Sequence, residues 1–319
     1  MDTPAWTDSG MPQHDAAHAA PAAAEGFDAG KTIIEHVSNS DIDHPLIHLP
    51  TFLGIDFSVT KHVLMLWIVA AAVLLLVTWA VRRYLRQDRL LPSGFMNGLE
   101  AVVEFVRDTM VEPNVGRKWT AVWTPLVLTL FVFILASNMA GLIPMFEVVG
   151  LIDRMLLHLP EDAFVNQLLH GGTTATANFN VTAGLATITF GAIIVAGTKA
   201  HGFITHWKNL VPHGLAWPLY ILLIPIEIMG MFVRPFALTM RLAANMTGGH
   251  IAILAMLSFV FLFAELAGQA IAGIGVGLLF SVPMAVGIYA LEIIVVLVQA
   301  YVFALLSAVF IGMAIHAHH

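Results

Sequence analysis

Long apolar stretches alternate along the chain with short polar ones, on a scale that matches membrane crossing. Residues 63–81, VLMLWIVAAAVLLLVTWAV, form an unbroken apolar run of about 19 residues, which is enough for one helical crossing. The pattern predicts further spans at 121–146 and 181–200. Residues 214–315 are apolar almost throughout. The apolar pattern therefore predicts a chain that crosses a membrane several times.

The apolar region 214–315 carries few charges. They are Glu227, Arg234, Arg241, Glu265 and Glu292. Its length fits two long helices or four short ones, and either even number returns the chain to the side from which it came. Glycines at 268–277 (GQAIAGIGVG) favour a break between two long helices.

Residues 95–112 show a different pattern. Apolar side chains recur there at steps of three and four, which is the pattern of an amphipathic helix: Phe95, Leu99, Val102, Val106 and Met110. Such a helix lies at the cytoplasmic membrane surface or packs against other subunits. An ordinary connecting helix would show the same pattern, and both interpretations stay open.

Composition narrows the class of protein. The chain is 58% hydrophobic and 11% charged, and its mean hydropathy is +0.83. Soluble domains average about 25% charged residues. Because polar and apolar residues do not alternate one by one within these runs, the runs predict helices and not the strands of an outer-membrane barrel. The expected fold is an all-α polytopic membrane protein with about five membrane helices and one amphipathic surface helix.

The distribution of charge predicts an orientation. Half of the 14 Lys and Arg residues lie between Arg82 and Lys118, whereas residues 1–60 are acidic with Lys31 as the one base. Basic loops remain in the cytoplasm. We therefore expect an external or periplasmic N-terminal segment (1–60, partly disordered), a membrane domain (61–319) in the cell inner membrane, and a cytoplasmic C-terminus. The acidic loop 147–180 is then external too.

Several classes of function lack support. The chain has no cysteine, which excludes disulfides and cysteine nucleophiles. No nucleotide-binding loop, zinc-protease or serine-hydrolase motif occurs. The N-terminal histidines lack metal-ligand spacing, and no basic patch suits nucleic acid. We expect no catalytic residue, metal site or cofactor.

One polar stripe is predicted inside the membrane. Glu227, Arg234 and Arg241 follow steps of seven, which places them on one helix face, and Asn245 lies one turn beyond Arg241. A charge in hydrocarbon costs about 2.5–3.5 kcal/mol. Glu227 and Arg234 could simply neutralise each other. Arg241 needs another explanation, because Glu227 is about 21 Å away along the axis.

The last predicted helix carries two polar residues that complement this stripe. Glu292 and Gln299 are also seven residues apart. If this helix runs antiparallel with Gln299 at the depth of Arg241, then His250 and Glu292 are neighbours. A His–Glu pair can exchange protons near neutral pH. A guanidinium between proton-active groups would act as a barrier, because it does not deprotonate.

Other interpretations of this polar set stay open. A self-contained proton-coupled secondary transporter would show activity with the purified chain and an internal repeat, which is not evident. An intramembrane hydrolase would need a nucleophile motif. A structural scaffold would tolerate replacement of Arg241 without loss of ion flux.

Four stretches resemble subunit a of rotary F-type ATP synthases, and the resemblance covers about 91–315 except for much of the external loop. They are PFALTMRLAANMTGGH, the upstream IEIMGMFVRP, YALEIIVVLVQAYVF and SNMAGLIP. The resemblance implies a non-catalytic, proton-translocating stator subunit that provides two offset half-channels to a ring of carboxylate-bearing c subunits. The c-ring and the peripheral stalk subunit b are its implied partners, and the two long helices would be strongly tilted.

The resemblance also implies roles for individual residues. Arg241 matches the essential arginine facing the ring, Asn245 and Gln299 match polar residues beside it, and Glu227 matches the acidic residue of the cytoplasmic half-channel. His250 and Glu292 occupy positions where some bacterial members carry Glu and His in the opposite order. Asn178 replaces an acid of some relatives. Whether the ion is H⁺ or Na⁺ depends largely on the ring.

Overall fold

The computed structural model describes most of the membrane domain. The described residues are Gly30, 58–86, 94–142, 174–208, 217–266 and 270–316. Within them, five helices are long and apolar enough to cross a membrane, so the predicted class, an all-α polytopic membrane protein, is confirmed. The expectations for residues 1–57 and for most of the acidic loop 147–180 lie outside the described residues.

The first half of the described chain contains two of the five long helices and a connecting segment at one membrane face. Its elements are α1 (Lys61–Leu85), α2 (Phe95–Phe105), a π-helical segment (Val106–Val111), α3 (Glu112–Val115) and α4 (Arg117–Leu142). Gly116 separates α3 from α4 with a φ of 78°, a conformation that favours glycine. Helix α1, with 25 residues, is longer than the predicted run of about 19, and α4 begins four residues before the predicted span 121–146.

The second half contains the three remaining spans. Its elements are a 3₁₀ turn (Ala175–Ala177), α5 (Phe179–His201), α6 (Phe203–Lys208), α7 (Trp217–Leu266), α8 (Ala270–Val276), a second π-helical segment (Gly277–Ser281) and α9 (Val282–Ile315). The region predicted as two or four helices is thus two long elements, separated at the predicted glycine-containing stretch.

Helix α7 is far longer than a bilayer is thick. Its 50 residues span about 75 Å at 1.5 Å per residue, whereas the hydrocarbon core is about 30 Å thick. A helix of this length either inclines steeply in the membrane or extends beyond it. This agrees with the expectation of long, tilted final helices.

Helix α9 forms the centre of the bundle, in contact with α4, α5 and α7. Its inward face carries small residues every fourth position: Ala300, Ala304, Ala308 and Gly312. All four are buried. Small side chains allow helix backbones in membranes to approach closely. At Gly312 the approach is so close that a Cβ atom would overlap the carbonyl oxygen of Asn114.

The predicted amphipathic helix 95–112 is built differently from the expectation. The α-helix ends at Phe105 and continues as a π-helix. Hydrogen bonds in a π-helix join residues five apart, which places Val106 and Val111 on the same side. Both are fully buried, as is Met110, in the core around α9. One face of the second half of this segment therefore packs into the protein's own core, while Arg107 and Asp108 on the other face stay exposed.

Helix α5 begins two residues earlier than predicted. Asn178 caps it, because its Oδ1 accepts a hydrogen bond from the backbone N–H of Asn180 at 2.8 Å. The preceding 3₁₀ turn, which the sequence suggested as plain loop, packs against α4, α5 and α7. This turn positions Thr174 and Thr176 inside the bundle, where both are buried.

Much of the surface of α7 is apolar and exposed. Leu238, Leu242 and Met246 point into the core, but the remaining apolar side chains largely do not. The exposed ones near the polar stripe are Ile226, Met229, Phe232, Val233, Phe236 and Met240. In a membrane such a face contacts lipid or another subunit.

Candidate functional site

The two long helices meet at a polar contact inside the apolar bundle. Asn245 on α7 donates from Nδ2 to Oε1 of Gln299 on α9 at 2.8 Å. Gln299 is buried. Nearer the C-terminal end of α7, His250 meets Glu292, which precedes Gln299 on α9. The two helices are therefore antiparallel, as expected, although Gln299 is level with Asn245 and not with Arg241, one turn away.

The predicted proximity of His250 and Glu292 is confirmed. Nδ1 of His250 lies 3.1 Å from Oε1 of Glu292. The same nitrogen lies 2.9 Å from the carbonyl oxygen of Met246. Because a carbonyl can only accept, we assign the hydrogen to Nδ1 in the neutral ring. The other ring nitrogen, Nε2, lies 3.1 Å from Oγ1 of Thr174.

The carboxylate of Glu292 is enclosed by α7. Its side chain is 4% exposed. Neither of its oxygens has a hydrogen-bond partner of good geometry among the described residues, since the nearest N–H, on His250, also faces Met246. A Cβ atom on Gly249 would stand 2.7 Å from Oε1. The absence of a side chain at Gly249 therefore makes room for the carboxylate beside His250.

A set of buried polar side chains surrounds this pair, here termed the outer polar cluster. Its members are Asn138, Thr174, Thr176, His250 and Glu292. Oγ1 of Thr176 donates to Oδ1 of Asn138 at 2.5 Å. The amide nitrogen of Asn138 has no partner among the described residues, although the side chain is fully buried. Buried polar groups of this kind are commonly paired with ordered water.

Sequence reasoning missed the threonines of the outer polar cluster. It placed Asn138 near the far end of the second span but gave it no role, and it assigned Thr174 and Thr176 to a loop. The available signal was weak, because these hydroxyl residues directly precede α5 but lie far along the chain from α7, which they contact. Tyr289 was also missed. Its hydroxyl donates to the carbonyl oxygen of Leu142 at 2.6 Å and so joins α9 to the end of α4.

Arg241 lies outside the bundle. Its side chain is exposed on α7, together with Asn245 one turn further along. Within the part of the chain that the structure describes, no acidic group lies within 4 Å of Arg241 and no hydrogen bond reaches it. The exposed guanidinium on this membrane helix thus has no counter-charge within the described ranges.

The expected neutralisation of Glu227 by Arg234 is not observed. Among the described side chains, neither residue forms an ion pair. Instead the guanidinium of Arg234 lies over the ring of Phe310, 5.8 Å from its centroid. A step of seven residues shares a helix face, but it separates two residues by about 10 Å along the axis. That distance is too long for an ion pair within one straight helix.

Among the described residues, no group of three His, Asp or Glu side chains could hold a metal ion.

The fold and the polar groups define a class: a polytopic helical membrane protein with ionisable side chains both inside its bundle and on its lipid-facing surface. Comparison with known proteins makes the class specific. The family model described as "ATP synthase A chain" matches residues 63–312.

Individual relatives agree over almost the whole chain. "ATP synthase subunit a 2" of Chlorobium luteolum is 40% identical over 311 residues, which cover 95% of this chain and 81% of the relative. The protein of the same name from Prosthecochloris aestuarii is 38% identical over 310 residues, covering 94% and 85%. The chain therefore belongs to the ATP synthase A chain family and is a multi-pass membrane subunit of that complex.

Proposed function

We propose that this subunit conducts protons through two offset half-channels that open to a ring of carboxylate-bearing subunits, with Arg241 between them. One observation carries the proposal: the guanidinium of Arg241 lies on the exposed face of α7 with no acidic partner among the described residues, while proton-active side chains lie on either side of it along the same helix. A cation in this position suits a carboxylate that another subunit brings.

The outer half-channel is assigned to the outer polar cluster. His250 and Glu292, in contact at 3.1 Å, can accept and release protons at neutral pH. Asn245 and Gln299 lie between this pair and Arg241 along α7 and α9. A proton that leaves Glu292 on this side would load a ring carboxylate that has just passed Arg241 in its ionised form.

The inner half-channel is assigned to the region of Glu227. This side chain is half-buried and lies 14 residues before Arg241, about 21 Å away along the helix. After nearly a full rotation, the protonated ring carboxylate would release its proton towards Glu227 and the cytoplasm before it meets Arg241 again. The order Glu227, Arg241, His250 along one helix keeps entry and exit on opposite sides of the cation.

Arg241 would act as the barrier between the half-channels. Its positive charge stabilises the ionised form of an approaching ring carboxylate and opposes the direct passage of a proton from one side to the other. A guanidinium retains its charge at every accessible pH, whereas a buried lysine can lose its proton. The subunit takes no part in nucleotide chemistry in this scheme.

The proposed assembly follows from the same features. The exposed apolar face of α7 would contact the ring. Lipid and a peripheral stalk subunit would cover other surfaces. The protein would reside in the cell inner membrane. The basic residues between Arg82 and Lys118 support a cytoplasmic C-terminus and an external N-terminal segment, residues 1–60. Residues 61–319 would form the membrane domain.

Replacing Arg241 in the whole complex tests the proposal. Arg241→Lys and Arg241→Ala should abolish ATP-driven proton pumping in reconstituted vesicles. Arg234→Lys is the matched control, because it changes an arginine two turns away on the same helix, and it should retain pumping. Normal pumping by both Arg241 variants would refute the proposal. Coupled transport by the purified chain alone would favour a secondary transporter instead.

A further inference from the structure

Thr174 has a contact that the half-channel scheme does not yet use. It is the last residue before the 3₁₀ turn and is 1% exposed. Its Oγ1 lies 3.1 Å from Nε2 of His250, 76 residues further along the chain. This places a hydroxyl on the side of the imidazole opposite to the nitrogen that faces Glu292.

Several threonines on the described helices use their hydroxyls differently. On helices the hydroxyl donates to the carbonyl four residues earlier, as it does at Thr120, Thr124 and Thr239. Such bonds satisfy the hydroxyl locally. Thr174 has an extended backbone, with φ of −91° and ψ of 117°, so no helical carbonyl stands behind it. Its hydroxyl is directed to the imidazole instead.

The hydrogen-bond chemistry assigns a role to each atom. Nδ1 of His250 carries the hydrogen that faces the carbonyl of Met246, so the neutral ring offers a lone pair at Nε2. The hydroxyl of Thr174 then donates to Nε2. When the imidazole is protonated, the same hydroxyl can turn and accept. A hydroxyl, unlike an amide or a carbonyl, fits both charge states of the ring.

Two neighbours on α4 hold Thr174 in this place. Gly141 packs so closely that a Cβ atom on it would overlap the side chain of Thr174. Asn138, one turn earlier on the same face of α4, has a buried amide nitrogen without a partner in the described part of the chain. That amide can bind a water molecule beside the threonine. The surroundings of Thr174 therefore include both a rigid contact and a polar group that suits water.

We propose that the hydroxyl of Thr174 positions His250 and passes it protons from the outer aqueous phase. The proposal rests on the proposed function and extends the outer half-channel by one residue. A hydronium ion transfers a proton to Oγ1 while the hydroxyl proton moves to Nε2. One O–H bond forms and one breaks, so the threonine ends unchanged. The imidazolium then gives its Nδ1 proton to the carboxylate of Glu292, 3.1 Å away. The ring is left neutral with its hydrogen on Nε2, and a tautomer exchange that returns this hydrogen to Nδ1 restores the starting state before the next proton arrives.

The test compares variants that differ only in the hydroxyl. Thr174→Val has nearly the same shape but no hydroxyl, and Thr174→Ser keeps the hydroxyl. In whole complexes reconstituted into vesicles, Thr174→Val should lower ATP-driven pumping by about tenfold or more, and Thr174→Ser should retain most of it. Co-purification of the ring with each variant checks assembly. Thr174→Ala is a second hydroxyl-free variant that relieves the contact with Gly141.

Thr189→Val is the matched control. Thr189 is fully buried, and its Oγ1 lies 3.1 Å from the hydroxyl of Ser307, away from the outer polar cluster. Complexes that carry Thr189→Val should pump protons at the normal rate. Normal pumping by Thr174→Val and Thr174→Ala would overturn the proposal, and so would equal losses in Thr174→Ser or in the Thr189 control. If Arg241→Lys abolishes pumping in the same assay, the failure concerns Thr174 alone and the proposed function stands.

Discussion

Asn245 on α7 donates a hydrogen bond to Gln299 on α9 at 2.8 Å, one turn beyond Arg241. The bond joins the two long helices one turn away from the exposed cation, on the side where His250 lies. It therefore fixes the register of the helix that carries Arg241 against the helix that carries Glu292. A shift of one turn would separate His250 from Glu292 by about 5.4 Å.

Removing either partner of that bond should destabilise the subunit. Asn245→Ala leaves the buried Oε1 of Gln299 without a donor, which costs about 1–3 kcal/mol. The thermal midpoint of the purified complex should fall. In Asn245→Ala/Gln299→Leu no unsatisfied acceptor remains, so the double variant should be more stable than the sum of the single losses predicts. Strict additivity would show that the bond contributes nothing.

Gly249 should be sensitive to the smallest possible change. In Gly249→Ala the new methyl group would stand 2.7 Å from Oε1 of Glu292 and displace the carboxylate from His250. Proton pumping should fall several-fold, although alanine favours the helix by about 1 kcal/mol. Gly248→Ala is the control, because a Cβ atom there meets nothing within 4 Å. Equal pumping by the two variants would contradict the assignment.

The contact between His250 and Glu292 predicts a recoverable exchange. His250→Glu and Glu292→His each remove one of two unlike proton carriers, and each should lower pumping by about tenfold or more. The double variant restores one imidazole and one carboxylate across the same contact. Pumping by the double variant should exceed that of both single variants. If the double variant pumps no better than the single variants, an imidazole and a carboxylate in contact are not sufficient, and each must occupy its own position.

The close approach of α9 to the segment before α4 predicts a stability effect without a role in transport. Gly312→Ala would force the backbone of Asn114 away, at a cost of about 1–3 kcal/mol for an overpacked core. The thermal midpoint should fall and less complex should assemble. Gly287→Ala, on the same helix with open space at its Cβ position, should not have this effect.

Orientation can be measured directly, because the chain has no cysteine of its own. A membrane-impermeant thiol reagent should label Asp153→Cys in intact cells, since the acidic loop is expected outside. Glu104→Cys, exposed on α2, should react only after the cells are opened. The reverse pattern would invert the proposed topology and the direction of both half-channels.

The spacing of residues predicted much of this structure. Apolar runs located the first three spans, the glycines at 268–277 favoured two long helices in the region 214–315, and seven-residue steps on two antiparallel helices placed His250 beside Glu292. The same spacing left open a pairing of Glu227 with Arg234, which the described side chains do not show, because seven residues rise about 10 Å along the axis. The π-helical turn at Val106–Val111 and the contact from Thr174 were beyond reach, since both depend on packing between segments distant in the chain.

The guanidinium of Arg241, which has no acidic partner among the described residues, also bears on biogenesis. Before a partner subunit arrives, the membrane must accommodate this cation at a cost of about 2.5–3.5 kcal/mol, beside a wide apolar face. In the proposed assembly, a carboxylate-bearing ring would remove part of that cost, so binding of the ring and stable insertion of this subunit would be thermodynamically coupled. We therefore expect the subunit to insert less stably in a cell that synthesises it without the ring.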